Sequence, residues 1–206
     1  MVNYLLWIRH LHSGSKKLFQ RVSPRMLYEM AKRYDEWPGQ DYEGSSCRGG
    51  LKGWHKHGVC GESLWPYPLA RDDKPVFVRP RHGWDVDATT RPLGVYYRVD
   101  RASVVDMQAA IADIGAVYVS GNVHDGWDEL VNSRKTAPAK NHAELPVIPA
   151  PKKPKDVGGH SFAIVGYNER GFVVQNPWGL VWGASGFGIL PYDDWVEHAT
   201  DAGPAR

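Results

Sequence analysis

Cysteine is scarce in this chain. Its 206 residues hold two, Cys47 and Cys60, and none stands before position 47. Two cysteines are too few for a disulfide-built scaffold, and they leave the redox compartment open. Long apolar runs are missing as well. The opening Met1-Val2-Asn3-Tyr4-Leu5-Leu6-Trp7-Ile8 is apolar but too short to span a membrane. It has no basic leader and no small-residue cleavage site, so it does not read as a signal peptide, and a cytoplasmic location is expected. Neither sign of charge dominates: 25 Lys and Arg against 23 Asp and Glu give a net charge of +2. The basic residues are scattered, which excludes a nucleic-acid stripe, so neither a nucleic acid nor a membrane is expected as partner. One basic cluster, Lys152, Lys153 and Lys155, is interleaved with proline and reads as a solvated loop. No repeat of fixed period occurs.

The length allows one large or two small domains with a real core. Val2, Leu5, Leu6 and Ile8 fall at helical spacing with no capping residue ahead of them, so the chain reads as beginning inside a helix. Ser13-Gly14-Ser15 ends that helix. A second follows, with Ser23 as cap, Pro24 at its first position, and Leu27, Met30, Ala31 and Tyr34 as the buried stripe; Trp37-Pro38-Gly39 breaks it. After a polar connection, Leu51, Trp54 and His55 lie on one face of a third helix that Gly58 stops. The second half changes character. Val95–Val99 alternates like a strand, Asp100–Ile114 reads as a helix with Gly115 as stop, and Ala116–Val123 as a strand. Ser133–Val157 is rich in Pro, Lys and Ala and reads as a mobile loop. Gly186–Leu190 reads as a last strand, and Ala202–Arg206 as a frayed end. Periodicity alone gives α+β, with helices and strands segregated along the chain.

The most informative stretch is 158–190. Two apolar runs, Ser161–Tyr167 and Phe172–Gln175, flank Asn168-Glu169-Arg170-Gly171 and predict a β-hairpin. Pairing Tyr167 with Gly171 puts Phe162 opposite Asn176, with His160 two residues along on the same face. An imidazole held by a carboxamide is a base with a fixed orientation, the supporting half of a nucleophilic site.

Gly159-His160 and Asn176-Pro177-Trp178-Gly179-Leu180-Val181-Trp182-Gly183 resemble the signature of the papain-like cysteine peptidases (family C1). That family has a His opening a strand and then an Asn-x-Trp-Gly-x-x-Trp-Gly run, often with Ser where Pro177 stands. Ser23-Pro24, Cys47-Arg48-Gly49-Gly50, Gly58-Val59-Cys60 and Trp65-Pro66-Tyr67 resemble the helical half of bacterial members. The resemblance implies a papain-like α+β fold: a helical lobe over residues 1–88, an antiparallel β-barrel lobe over 89–206, and a cleft between them. It implies a cysteine-type peptidase acting on peptide or protein substrates without a cofactor. His160 would be the acid/base and Asn176 its orienter. Trp178 would shield their bond, with Trp182 in support, and Gly49, Gly50 and Gly159 would line the substrate.

The family's nucleophilic Cys sits at the start of the first long helix, where the helix dipole lowers the thiol pKa. Counting back from His160 places it near or before residue 1, where this chain has none. The upstream Gln of the oxyanion hole is absent too. The expectation is a peptidase chain begun too late or broken, with its nucleophile absent, its first helix poorly anchored, and no activity as it stands. Cys47 matches a family cysteine that is commonly disulfide-bonded, and Cys60 reads as a core residue, so neither is the expected nucleophile. Cys47, His55, His57 and Cys60 fit no standard zinc spacing, and no metal is expected. The alternative is a non-catalytic papain-fold protein that binds peptides or a partner. A carbohydrate-binding β module, suggested by nine Trp, ranks below both because most of those Trp fall at core or signature positions. Substrate preference and oligomeric state are open at this point.

Overall fold

The computed structural model describes residues 1–36, 44–70, 74–131, 138–152 and 158–204. The expected break at Trp37-Pro38-Gly39, much of the connection after it, and Lys153 and Lys155 lie outside these residues. The chain divides into two compact units, Val2–Tyr96 and Tyr97–Pro204. Among the described residues no helix is long and apolar enough to cross a membrane.

The first unit is helical: α1 (Val2–His12), α2 (Pro24–Arg33), α3 (Cys47–His57) and the short α4 (Trp84–Ala88). Contrary to the expectation of a loose first helix, α1 is tied down. The Asn3 side chain reads the backbone of Val22 in both directions, accepting from its N–H at 2.8 Å and donating to its carbonyl at 3.2 Å. Ser23 caps α2 through Met26 N–H at 2.9 Å, with Pro24 at the first position where its missing donor costs nothing. The buried stripe differs from the expected one: Met26, Met30 and Ala31 are buried, whereas Leu27 and Tyr34 are only half covered. Ser46 caps α3, and Gly58 ends it at φ +69° with a Cβ position 2.0 Å from Ala88 O, where only glycine fits. Glycine also sets the distance between α2 and α3. A Cβ at Gly53 would lie 2.7 Å from Met30 Cβ, and one at Gly49 2.8 Å from Ala31 O. His55 departs from the predicted core face. It is exposed, with Nδ1 bonded to Gly94 O at 2.9 Å.

The second unit holds α5 (Val104–Ile114), β1 (Val117–Val123), α6 (Asp125–Asp128), a 3-10 turn (His142–Glu144), β2 (Gly158–Asn168), β3 (Gly171–Gln175), β4 (Phe187–Leu190), α7 (Tyr192–His198) and β5 (Ala199–Pro204). The strands form one antiparallel sheet in the order β4-β3-β2-β1-β5. This is the segregated α+β architecture the sequence implied. Alternate residues of β1, Val117, Val119 and Val123 among them, enter a core with Met107, Ile111, Phe162, Ile164, Phe172, Val174, Trp182 and Trp195.

Three local expectations are corrected. Val95–Val99 is not a ladder strand: Val95 and Tyr97 face solvent, and the segment is anchored by buried Val99, whose N–H bonds Ala202 O at 3.1 Å. Ala202-Gly203-Pro204 is not frayed but forms β5 against β1. Part of the proline-rich loop is fixed as well. Leu145 and Ile148 are buried, and Pro146 and Ile148 exchange backbone bonds with Ile189 of β4 at 2.8 Å each. The structure packs an apolar Leu-Pro-Val-Ile segment that composition had made look featureless.

Candidate active site

The hairpin brings the two polar residues together by a route the sequence did not predict. Its tip is one residue tighter than expected, pairing Asn168 with Gly171 and Tyr167 with Phe172. A bulge between Ile164 and Gly166 then takes up one residue, so Ala163 faces Gln175. Beyond the bulge the register is the expected one, and Asn176 follows opposite Phe162. Gly171 is required by contact: a Cβ there would lie 2.1 Å from Leu190 O on β4.

His160 Nε2–H donates to Asn176 Oδ1 at 2.9 Å. Asn176 is itself pinned by its backbone N–H on Gly186 O at 2.9 Å and is 4% exposed. This bond requires the proton on Nε2, which leaves the Nδ1 lone pair for chemistry; among the described residues Nδ1 makes no hydrogen bond. Burial lowers the His160 pKa from its ordinary 6.5, and the bond to Asn176 offsets this in part. A neutral ring with one nitrogen fixed and the other open is a competent base at pH 7.

Aromatic rings enclose the pair. Trp178 lies 4.8 Å from the His160 ring and is 36% exposed, so it covers the imidazole from the solvent side. Trp182 is fully buried, meets Trp178 edge-on at 6.5 Å, and donates its Nε1–H to Trp127 O at 2.9 Å. Trp127 was missed by sequence reasoning. Its ring stands edge-on to His160 at 5.9 Å and stacks on Trp182 at 5.7 Å. No spacing along the chain signals it; it follows β1, which pairs with the strand that carries His160. Excluding water in this way strengthens the imidazole–carboxamide bond.

Cys47 and Cys60 belong to the helical unit, are 1% and 0% exposed, and neither is in a disulfide. Burial pushes the Cys60 thiol up to about 11, with Asp87 adding to it. A buried thiol that holds its proton at pH 7 is a poor nucleophile. The three glycines expected to line the substrate differ. Gly49 is buried against α2, which gives its lack of a side chain a packing reason; Gly50 is half buried on α3; Gly159 is exposed with open space around it. Of the four residues weighed as a zinc set, His55 bonds Gly94 O, and His57 Nε2 bonds Tyr34 OH at 2.8 Å.

No protein-family model matches the sequence. The chain is 29% identical over 154 residues to an uncharacterized peptidase C1-like protein of Acanthamoeba polyphaga mimivirus, covering 72% of this chain and 47% of the viral protein. It thus spans about half the length of that curated relative. Among solved structures it is similar to xylellain, a cysteine protease from Xylella fastidiosa, with a TM-score of 0.75 at 24% identity over 100% of this chain and 76% of that one. It is also similar to digestive procathepsin L 3 of Tenebrio molitor larval midgut, with a TM-score of 0.61 at 18% identity over 99% and 62% of the two chains. For the bromelain protease from Ananas comosus the TM-score is 0.54 at 15% identity, over 93% and 80%. The fold of this chain is that of the papain-like cysteine proteases.

Proposed function

We propose that this chain supplies the general acid/base and its orienting amide to a papain-like cysteine peptidase site, and that the thiol of that site is neither Cys47 nor Cys60. The observation that carries the reading is the 2.9 Å bond from His160 Nε2–H to Asn176 Oδ1 beneath Trp178, with Nδ1 open. In the reaction this supports, Nδ1 takes the thiol proton, the thiolate attacks the peptide carbonyl, and the imidazolium returns the proton to the departing amine. Asn176 keeps the ring oriented while its charge changes. Trp178 keeps water from competing for the bond. Gly159, open and one residue from the imidazole, lines the substrate in this reading, and Gly50 does so on the strength of the sequence resemblance. Residues 1–206 alone are then inactive towards peptides.

A second reading, a papain-fold protein that binds peptides without cutting them, is favoured by one observation, the burial of both cysteines. Two experiments test these readings, and the second separates them. The 206-residue chain is incubated with fluorogenic peptides beside its His160→Ala variant. Equal background rates are expected, and turnover that needs Cys47 or Cys60 would overturn the proposal. The coding sequence is then extended upstream in frame to the first cysteine codon. Turnover that requires both that cysteine and His160 supports the peptidase, whereas peptide binding without turnover supports the binder.

A further inference from the structure

Next to the aromatic wall lies a polar cluster that the peptidase reading does not use. His124 is 1% exposed. Its Nε2–H donates to Asp194 Oδ2 at 2.9 Å, and its Nδ1 accepts Gly126 N–H at 3.1 Å. His198 Nδ1–H donates to the Asp194 backbone carbonyl at 3.1 Å and lies 3.1 Å from the other carboxylate oxygen, Oδ1, and the two imidazoles are 5.2 Å apart. One donor atom from each of the three residues falls within 4.8 Å of the others, a spacing that could hold a metal ion. The hydrogen bonds oppose that use. A metal-bound imidazole keeps its remaining proton on the other nitrogen and gives it to an acceptor. His124 Nδ1 faces a donor instead, so a proton there would set two N–H groups against each other. The cluster is better described as one carboxylate that accepts from His124 and lies against His198, whose ring is held by the Asp194 backbone carbonyl, with the His124 tautomer set by Gly126.

Its place in the fold gives it something to hold. His124 immediately precedes α6 and binds the first turn twice, through its ring to Gly126 N–H and through its carbonyl to Trp127 N–H at 3.1 Å. Gly126 is wedged: a Cβ there would lie 2.1 Å from Pro149 O and 2.8 Å from the His124 ring. Trp127 comes next, and its ring packs on His160, Phe162, Trp178 and Trp182. A cavity of about 10 Å³, room for one water, is lined by Trp127 and Phe162 on one part and by Asp194 and His198 on another. The Asp194 carboxylate, held on α7, is therefore linked to the catalytic imidazole through His124, the turn of α6 and a single indole.

We propose that the His124–Asp194–His198 chain is a positioning device for His160 that acts through Trp127. The carboxylate fixes the His124 ring, that ring fixes the first turn of α6, and α6 holds the Trp127 indole against the imidazole and keeps it dry. The proposal rests on the peptidase reading only for the purpose of the device. Its test reads the imidazole directly and leaves that reading standing if it fails.

Histidine NMR on the 206-residue chain provides the test. In the unsubstituted protein His124 must be the Nε2–H tautomer, and finding its proton on Nδ1 would overturn the proposal. Asp194→Asn keeps the side-chain volume but replaces the carboxylate that accepts from His124 and lies against His198 by a neutral amide with a single acceptor oxygen. In this variant and in His124→Ala, the His160 midpoint, held low by burial, should rise towards that of a solvated imidazole. His124→Asn should reverse part of the rise, because a carboxamide can still cap Gly126 N–H. Met107→Ala, a core truncation on α5, controls for general loosening and should leave the midpoint in place. An unmoved midpoint in folded Asp194→Asn, or an equal rise in Met107→Ala, would overturn the proposal. If Asp194→Asn fails to fold, the tautomer of His124 in the unsubstituted chain decides.

Discussion

Asn176→Ala is the substitution most revealing of how the imidazole is held. It removes the acceptor of the His160 Nε2–H bond, 2.9 Å long. A buried donor left without a partner costs about 1–3 kcal/mol. Two features pull the cost to the low end. His160 is only partly buried, so water can reach part of the ring. The Asn176 Nδ2 already lacks a partner among the described residues, so its deletion relieves one unpaired buried donor. The expected loss is about 1 kcal/mol in urea unfolding above pH 7, read by tryptophan fluorescence. The titration carries a second signature. Burial lowers the His160 pKa and the Asn176 bond raises it, so deleting the bond should lower it further. A depressed folded-state pKa means that the unfolded chain binds more protons between that pKa and 6.5. Stability from this group is therefore full above 6.5 and falls as pH drops through the folded value. In Asn176→Ala the window reaches lower, so the variant should lose more stability on acidification than the unsubstituted chain. A His160 midpoint that rises or stays fixed would refute the reasoning, because the carboxamide could not then be accepting from the ring.

Other outcomes follow from the same contacts. Gly171→Ala should cost about 2–4 kcal/mol in urea unfolding, since its Cβ would meet the Leu190 carbonyl at 2.1 Å and backbone cannot yield without parting β3 from β4. Gly53→Ala should destabilise by a similar amount, because Met30 Cβ stands 2.7 Å from the new methyl, and a variant of unchanged midpoint would show that α2 and α3 can separate freely. Trp182→Phe should cost about 1–3 kcal/mol through the lost bond to Trp127 O and should broaden the His160 resonance as the indole stack loosens. A disulfide reagent should modify Cys60 at pH 7 only as fast as the chain unfolds, because its thiol is fully buried and pushed up to about 11.

What the sequence revealed of the fold follows the range of the forces involved. Ser23, Ser46, Ser103 and His124 act on backbone groups two or three residues away, but only Ser23, followed by Pro24, was read as a cap from the sequence. Gly58 and Gly115 stop their helices at positive φ, as their positions predicted. The hairpin was legible for a less secure reason. The tighter tip and the bulge at Val165 shift the register in opposite senses, so the pairing near His160 came out as expected although the tip did not. Long-range features were hidden. The Ala, Gly and Pro residues of β5 have no strand propensity, and they form a strand because β1 offers an open edge. His55 has helical spacing with Leu51 and Trp54, but the Gly94 carbonyl holds it outside the core. Trp127 reaches His160 because β1 pairs with β2, which no spacing along the chain encodes. The signature residues at 160, 176, 178 and 182 were readable as a set, since they cluster in one hairpin and the loop that follows it.

The measurement that bears most directly on the proposed site is the reaction of the folded 206-residue chain with a peptidyl epoxide that traps thiolates, the labelled residue being identified by mass spectrometry. The account predicts that Cys47 and Cys60 stay unmodified until the chain is unfolded. Stoichiometric labelling of either cysteine in the folded chain, lost in His160→Ala, would contradict it.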